Sequence, residues 1–153
     1  RLLAFAARRV GPDDAEDVVA EVFVVAWRRR AAVPDNPLPW LYQVARNVVL
    51  HTLRDRGNRR QLAAAAIAVA APDTPSAENT SAAVVDSILD ALDPVDAEIL
   101  RLTVWEGLTP AEAAVVLDLT PGTARTRLSR ARGRAQSLYT RSLTPSSWKG
   151  LPP

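Results

Sequence analysis

The chain has 153 residues, 48% hydrophobic and 24% charged, the balance of an ordinary globular protein with one domain or two small ones; collagen-like, disulfide-scaffolded and grossly disordered chains are excluded. Cysteine is absent, which removes thiol chemistry and cysteine-based zinc sites, gives no sign of an oxidising compartment and makes the cytoplasm the expected location. The net charge of +2 is unevenly spread: residues 1–60 hold eleven Arg against seven acids, residues 61–91 four acids and no base, and residues 92–153 eight bases against six acids.

Two basic blocks around an acidic connector point to two surfaces that meet a polyanion; solvated helix faces are the alternative. No apolar run approaches the roughly 20 residues that span a bilayer, and the start carries no secretory signal. Methionine is also absent, and the chain opens inside what reads as a helix, so the sequence is read as N-terminally truncated. The bases are 18 Arg and 1 Lys, a bias that GC-rich codons of a bacterium would produce.

In chain order, Leu2 to Val10 reads as the end of a helix closed by Gly11-Pro12. Residues 13–30 and 37–56 carry helical periodicity, through Val19, Val22, Phe23, Ala26 and Trp27 in the first and Leu41, Val44, Ala45, Val48 and Thr52 in the second. Between them, residues 31–39 contain three prolines and an Asp-Asn pair and predict a rigid loop. After Arg60 an Ala-rich stretch, with good helix propensity but no wide apolar face, runs into the linker composition Pro72-Asp73-Thr74-Pro75-Ser76. The second block holds three helix starts. Asp93-Pro94 is an N-cap with proline at N1; Thr109-Pro110-Ala111-Glu112 is a capping box; Thr120-Pro121 caps a helix expected to reach about Tyr139. Gly107 is a helix stop.

No strand pattern appears, so the expected class is all-α: two small helical domains joined by a flexible linker. The boundaries are 1–60 for the first domain, 61–80 for the Ala/Pro-rich linker, 81–141 for the second domain and 142–153 for a tail. Domains of about 60 residues bury a small share of their surface, and partner contacts are expected to add to their stability.

Thr109 to Arg132 has helix-turn-helix spacing: about eight residues, a turn at Asp118-Leu119-Thr120, then a longer helix able to enter a major groove. On that helix Ala124, Leu128, Ala131, Ala135 and Leu138 form one stripe and face the core. Thr126, Ser129 and Gly133 are small enough to approach base edges. Arg125 and Arg132 lie on one flank, with Arg127, Arg130, Arg134 and Arg141 on the other, placed to reach phosphates. Thr120 to Arg141 holds six Arg and no acid. A helical hairpin with a solvated arginine face is the alternative.

The segment from Asp14-Ala15-Glu16-Asp17 to Ala26-Trp27, followed by Pro39-Trp40-Leu41-Tyr42-Gln43-Val44-Ala45-Arg46-Asn47, resembles region 2 of bacterial RNA polymerase sigma factors of the extracytoplasmic-function group. Glu98-Ile99-Leu100-Arg101-Leu102 and Gly122 to Arg132 resemble region 4 of the same group. Two blocks in the right order, separated by a linker, cover most of residues 10–140.

The resemblance implies that region 2 docks on the clamp helices of core RNA polymerase through Asp14, Asp17, Val18, Glu21 and Val22, reads the minus-ten promoter element and helps to melt it. Asp14, Asp17 and Glu21 form an acidic stripe suited to a basic partner, or a solvated face favoured by the helix dipole, while Phe23 and Trp27 are expected inside. Melting and minus-ten contacts are expected at Asp35, Asn36, Trp40, Arg46, Asn47, His51 and Arg54; Arg56, Arg59 and Arg60 are placed to track phosphates, and Trp40 is read as core packing or base stacking. Region 4 is expected to bind the polymerase flap and the minus-thirty-five element, the latter through Thr120, Gly122, Thr123, Arg125, Thr126, Arg127, Ser129, Arg130, Arg132 and Arg134. An anti-sigma partner is implied.

The chain departs from the family pattern at Ala20, where Gln is frequent, His51, where Asp is frequent, Asp118, where the turn usually has Gly, and Ala124, where Val is usual. Asp tolerates the left-handed conformation, so the turn survives. A lone His without Cys is no metal site, and no cofactor or catalytic residue is expected: there is no glycine-rich phosphate loop and no nucleophile with a base. The competing expectation is a stand-alone helix-turn-helix regulator whose first domain dimerises or senses a signal.

Overall fold

The structure, a computed structural model, describes residues 1–66 and 80–143, with only the backbone of residues 59–66, 80 and 81. The Pro-rich part of the expected linker and the tail from residue 144 onward lie outside the described residues. Seven α-helices and one 3₁₀ turn, and no strand, are found among the described residues, as the all-α expectation requires. No described helix is long and apolar enough to cross a membrane.

Helix α1 (Leu2–Val10) buries Phe5, Ala6 and Val10. It ends at Gly11, whose φ of +86° lies where only glycine is at ease and turns the chain directly into α2. In α2 (Pro12–Arg28) the first helical position is proline, whose missing N–H costs nothing there, and Asp13 and Asp14 complement the dipole of the first turn. A 3₁₀ turn (Arg30–Ala32) and an extended residue lead to α3 (Pro37–Ala66). The expected loop is therefore shorter than 31–39, because Pro37 and Pro39 both fit the first helical turn. At its other end α3 continues past residue 60 into the Ala-rich stretch, where helix propensity carries it to Ala66.

The second half comprises α4 (Thr80–Asp90), α5 (Pro94–Val104), α6 (Pro110–Leu117) and α7 (Pro121–Leu143). All three expected helix starts are realised. The Asp93 carboxylate accepts from the Val95 and Asp96 backbone N–H groups, and Thr109 with Glu112 forms the reciprocal capping box. The Thr120 hydroxyl accepts from the Thr123 N–H at 3.2 Å. Between α6 and α7, Asp118 adopts the left-handed conformation at φ +54° and the Leu119 N–H reaches the Ala114 carbonyl at 2.9 Å, a Schellman closure.

Phe5, Val22 and Tyr42 are fully buried among α1, α2 and α3; Ile99, Leu102, Val116 and Leu128 fill the core of α5, α6 and α7. The two halves touch where α3 packs on α6 and along a charged seam centred on Glu106, whose side chain is 2% exposed. Arg8 Nη2 donates to both Glu106 carboxylate oxygens at 2.7 Å, and Arg1 donates to the Glu106 carbonyl at 2.6 Å. Arg9 donates to Glu98 at 2.7 Å while its guanidinium lies 3.6 Å from the Phe5 ring centroid. The Tyr42 hydroxyl, beneath them, is 3.4 Å from Glu106 Oε2.

Candidate nucleic-acid and protein interfaces

Helical spacing places the apolar residues of α7 on one stripe, and the structure buries Ala124, Leu128 and Ala131 on it, with Ala135 and Leu138 packed against its edge. The opposite surface is thereby solvent-facing and carries Gly122, Thr123, Arg125, Thr126, Ser129, Arg130 and Gly133. Thr126 donates to the Gly122 carbonyl at 3.1 Å, leaving its oxygen lone pairs outward. Among the described residues Arg125 and Arg130 make no hydrogen bond or ion pair within the protein.

The remaining arginines expected on DNA are placed differently. Arg127 Nη1 is 2.8 Å from Asp96 and 3.1 Å from Asp93, and Arg134 is 3.7 Å from Asp96. Arg132 lines an apolar groove on the side away from these acids. That groove, about 440 Å³, runs between α4, α5 and α7 past Val85, Ile88, Leu100, Val104, Trp105 and Tyr139. Sequence reading missed it, because exposed Val104 and Trp105 sit at a helix end where apolar periodicity gives no direction.

On α2, Asp14, Asp17 and Glu21 share a groove of about 750 Å³ with Asn47 and His51 of α3 and with Arg29. The residues expected to meet polymerase and two of those expected at the melted strand thus face one cleft. Asp14 is ion-paired with Arg56, which also donates to the Val10 carbonyl at 2.7 Å. His51 lies 3.2 Å from Asp55, one turn away.

Two expectations on α2 are corrected. Val18 and Val22 are buried in the core, since they stand on the face turned to α1 and α3, with Val18 also lining the groove beside Asp17. Phe23 and Trp27, expected inside, are 56% and 73% exposed. At spacings of four, three and four they share a stripe with Glu16 and Ala20, well round the helix from the Asp14, Asp17 and Glu21 stripe, and the Arg30 guanidinium lies 5.5 Å from the Trp27 ring.

Asp35 and Asn36 are exposed in the short loop before α3, and Asn36 Nδ2 is 3.4 Å from Glu112 of the capping box. Trp40 packs half-buried against the core. Arg46 is separated from Asn47 and His51: it lines a cavity of about 390 Å³ at the seam with Arg9, Glu98 and Trp105. Arg54 is exposed, and the side chains of Arg59 and Arg60 lie outside the described residues.

Three pKa directions follow from these contacts. Backbone N–H groups, that of Val95 foremost, hold the Asp93 carboxyl below its usual value. The Thr109 backbone N–H does the same for Glu112. The hydrogen bond to Asp96 first, then the nearby carboxylate charges, raise the Arg127 guanidinium further.

Family models match both halves: "Sigma-70 region 2" over residues 1–59 and "Sigma-70, region 4" over residues 82–134. Among curated relatives, the RNA polymerase sigma factor CnrH of Cupriavidus metallidurans is 34% identical, the match covering 89% of this chain and 80% of that protein. The sigma factor NccH of Alcaligenes xylosoxydans is 30% identical over 90% of this chain and 81% of that protein. A probable sigma factor of Xanthomonas campestris, RfaY, is 36% identical over 80% of this chain, which spans about a third of that protein's length (33%). Among solved structures, the sigma factor RpoE of Bartonella quintana bound to the anti-sigma factor NepR is similar with a TM-score of 0.63 and 26% identity, covering 91% and 89% of the two chains. CnrH in complex with the cytosolic domain of CnrY is similar with a TM-score of 0.59 and 30% identity over 92% and 81%. None of these findings favours a stand-alone regulator.

Proposed function

The chain belongs to the extracytoplasmic-function group of sigma-70 family RNA polymerase sigma factors, and from that premise we propose that its two halves, residues 1–60 and 81–141, are a polymerase-docking and melting module and a minus-thirty-five module of one initiation factor. It acts without catalysis of its own, in the cytoplasm, as a specificity subunit of core RNA polymerase. The observation that carries the reading is that both family regions occur in order on one chain and each exposes the charge its task needs. Arg125 and Arg130 are exposed on α7 without partners among the described residues, beside small side chains that admit base edges.

For docking, Asp14, Asp17 and Glu21 stay as proposed contacts, while the exposed Phe23 and Trp27 replace Val18 and Val22. The acidic stripe suits a basic helical partner and gives orientation, while the exposed aromatics, on a separate stripe of α2 with Glu16, offer area for a partner to desolvate. Asn47 and His51 in the adjoining cleft, with Asp35 and Asn36 at its loop, are proposed to hold the melted strand. The apolar groove on α4, α5 and α7 is proposed to receive the polymerase flap. One solved relative is a complex with the anti-sigma factor NepR and another a complex with the cytosolic domain of CnrY, and an anti-sigma partner is proposed for this chain.

The test joins affinity capture from host lysate to run-off transcription on host promoter fragments. Recovery of identified core polymerase subunits together with new specific transcripts is expected. Asp17→Arg with Glu21→Arg is expected to weaken polymerase capture by about tenfold or more, through like-charge opposition. Arg125→Ala and Arg130→Ala are each expected to cost about 1–3 kcal/mol of promoter affinity while sparing polymerase binding. Unchanged capture in the acid variant would move the docking face elsewhere. Palindromic DNA binding without polymerase would overturn the assignment.

A further inference from the structure

The start of α5 aims two carboxylates at the recognition helix. Asp93 is the N-cap residue and Asp96 stands at the third helical position, its side chain 6% exposed. Arg127 bridges both, at 3.1 and 2.8 Å. Arg134, two turns further along the same flank of α7, lies 3.7 Å from the second Asp96 oxygen. A carboxylate so withdrawn from water needs hydrogen-bonding partners, and here they are guanidinium groups. Arg125 and Arg130, on the same helix, have none among the described residues.

Resting on the reading of α7 as the DNA-facing helix, we propose that Asp96, with Asp93, is a specificity-determining element: it retains Arg127 and Arg134 on the protein and thereby keeps them off the phosphates. Phosphate binding by arginine is blind to sequence and raises affinity for all DNA alike. A helix with six arginines and no acid would otherwise hold any duplex. Pinning Arg127 to α5, with the more exposed Arg134 drawn toward the same carboxylate, leaves discrimination to Arg125, Thr126, Ser129 and Arg130, and fixes the rotation of α7 that aims these side chains. Arg127 is thus a positioning residue.

The experiment measures binding of the full chain to a random-sequence duplex by fluorescence anisotropy across a salt series. Each phosphate that an arginine ceases to neutralise reduces the slope of log K against log salt by about 0.9. Arg125→Gln is expected to show that reduction. Arg127→Gln is expected to leave the slope unchanged. Asp93→Ser with Asp96→Asn keeps a capping oxygen but releases the arginines. It is expected to steepen the slope by up to about 1.8, as two further phosphates are neutralised, and to raise random-duplex affinity. Loss of two carboxylates lessens repulsion of DNA in any case, so the steeper slope, which a merely structural role does not produce, is the deciding readout. Circular dichroism checks folding, and Asp96→Asn alone, which leaves the Asp93 cap in place, carries the test should the double variant unfold. A reduced slope in Arg127→Gln, or an unchanged one in the released variant, overturns the proposal. Unchanged slopes in both Arg125→Gln and Arg130→Gln overturn the DNA-facing reading of α7, and the proposal with it.

Discussion

Tyr42 shows how a single residue acquires a duty that its type does not announce. It is fully buried, its ring 5.2 Å from that of Phe5 and its hydroxyl aimed at Glu106. Burial first, and the Glu106 charge second, raise its pKa above 10. A folded-state pKa above the unfolded one means that the contribution is fully present below pH 10 and lost as pH rises through the folded value. Tyr42→Phe is expected to flatten the alkaline fall of Tm above about pH 10, at a cost near neutrality below about 1 kcal/mol, since Arg8 keeps the Glu106 carboxylate satisfied. Thermal melts across that pH range check it; an undiminished alkaline fall would place the sensitivity elsewhere. Sequence periodicity puts Tyr42 beside a core stripe, but nothing local identifies Glu106, which reads only as the residue before a helix stop.

At the scale of elements, local chemistry was the most legible. Caps and stops act within four residues of one another, so Asp93, Thr109, Glu112, Gly107 and Asp118 could be interpreted without knowing the fold. The two ends of α6 offer a paired test. Thr109→Ala removes the capping oxygen and is expected to cost about 1 kcal/mol. Asp118→Gly relieves a left-handed residue at φ +54° and is expected to stabilise by about 0.5–1 kcal/mol. Chemical denaturation of both variants reads the two signs; a destabilised Asp118→Gly would show that the Asp side chain does more than tolerate the turn. Helix ends at α3 were less legible, because proline near a start and Ala near an end are compatible with either state. The orientation of α2 was misjudged for Phe23 and Trp27: its apolar residues exceed one face, and pattern alone cannot say which of them finds a neighbour.

For the whole molecule, the seam joins parts distant in sequence: Arg8 and Glu106 are 98 residues apart. Glu106→Ala leaves Arg8 and Arg9 without the carboxylate that they share. With Arg8 a third exposed, its charge is partly screened, so a loss of about 2–3 kcal/mol is expected, below that of a wholly buried pair. Solution scattering is expected to show a larger radius of gyration than the parent as the halves separate. An unchanged radius with unchanged stability would show that packing of α3 on α6 holds the halves together without the charges.

The sequence by itself determined the all-α class, the two-region order, the caps and turn of the helix-turn-helix, and the arginine supply of α7, because each depends on short-range spacing and composition. Tertiary structure alone decided which charged residues are free. Arg125 and Arg127 are two positions apart on one helix and equivalent as text, yet one faces solvent and the other meets the carboxylates of α5. The same holds for Val22 and Phe23, consecutive apolar residues of which only the first is enclosed. A side chain's availability is set by what the fold brings within a few ångströms of it, and that information is spread over residues far apart in the chain.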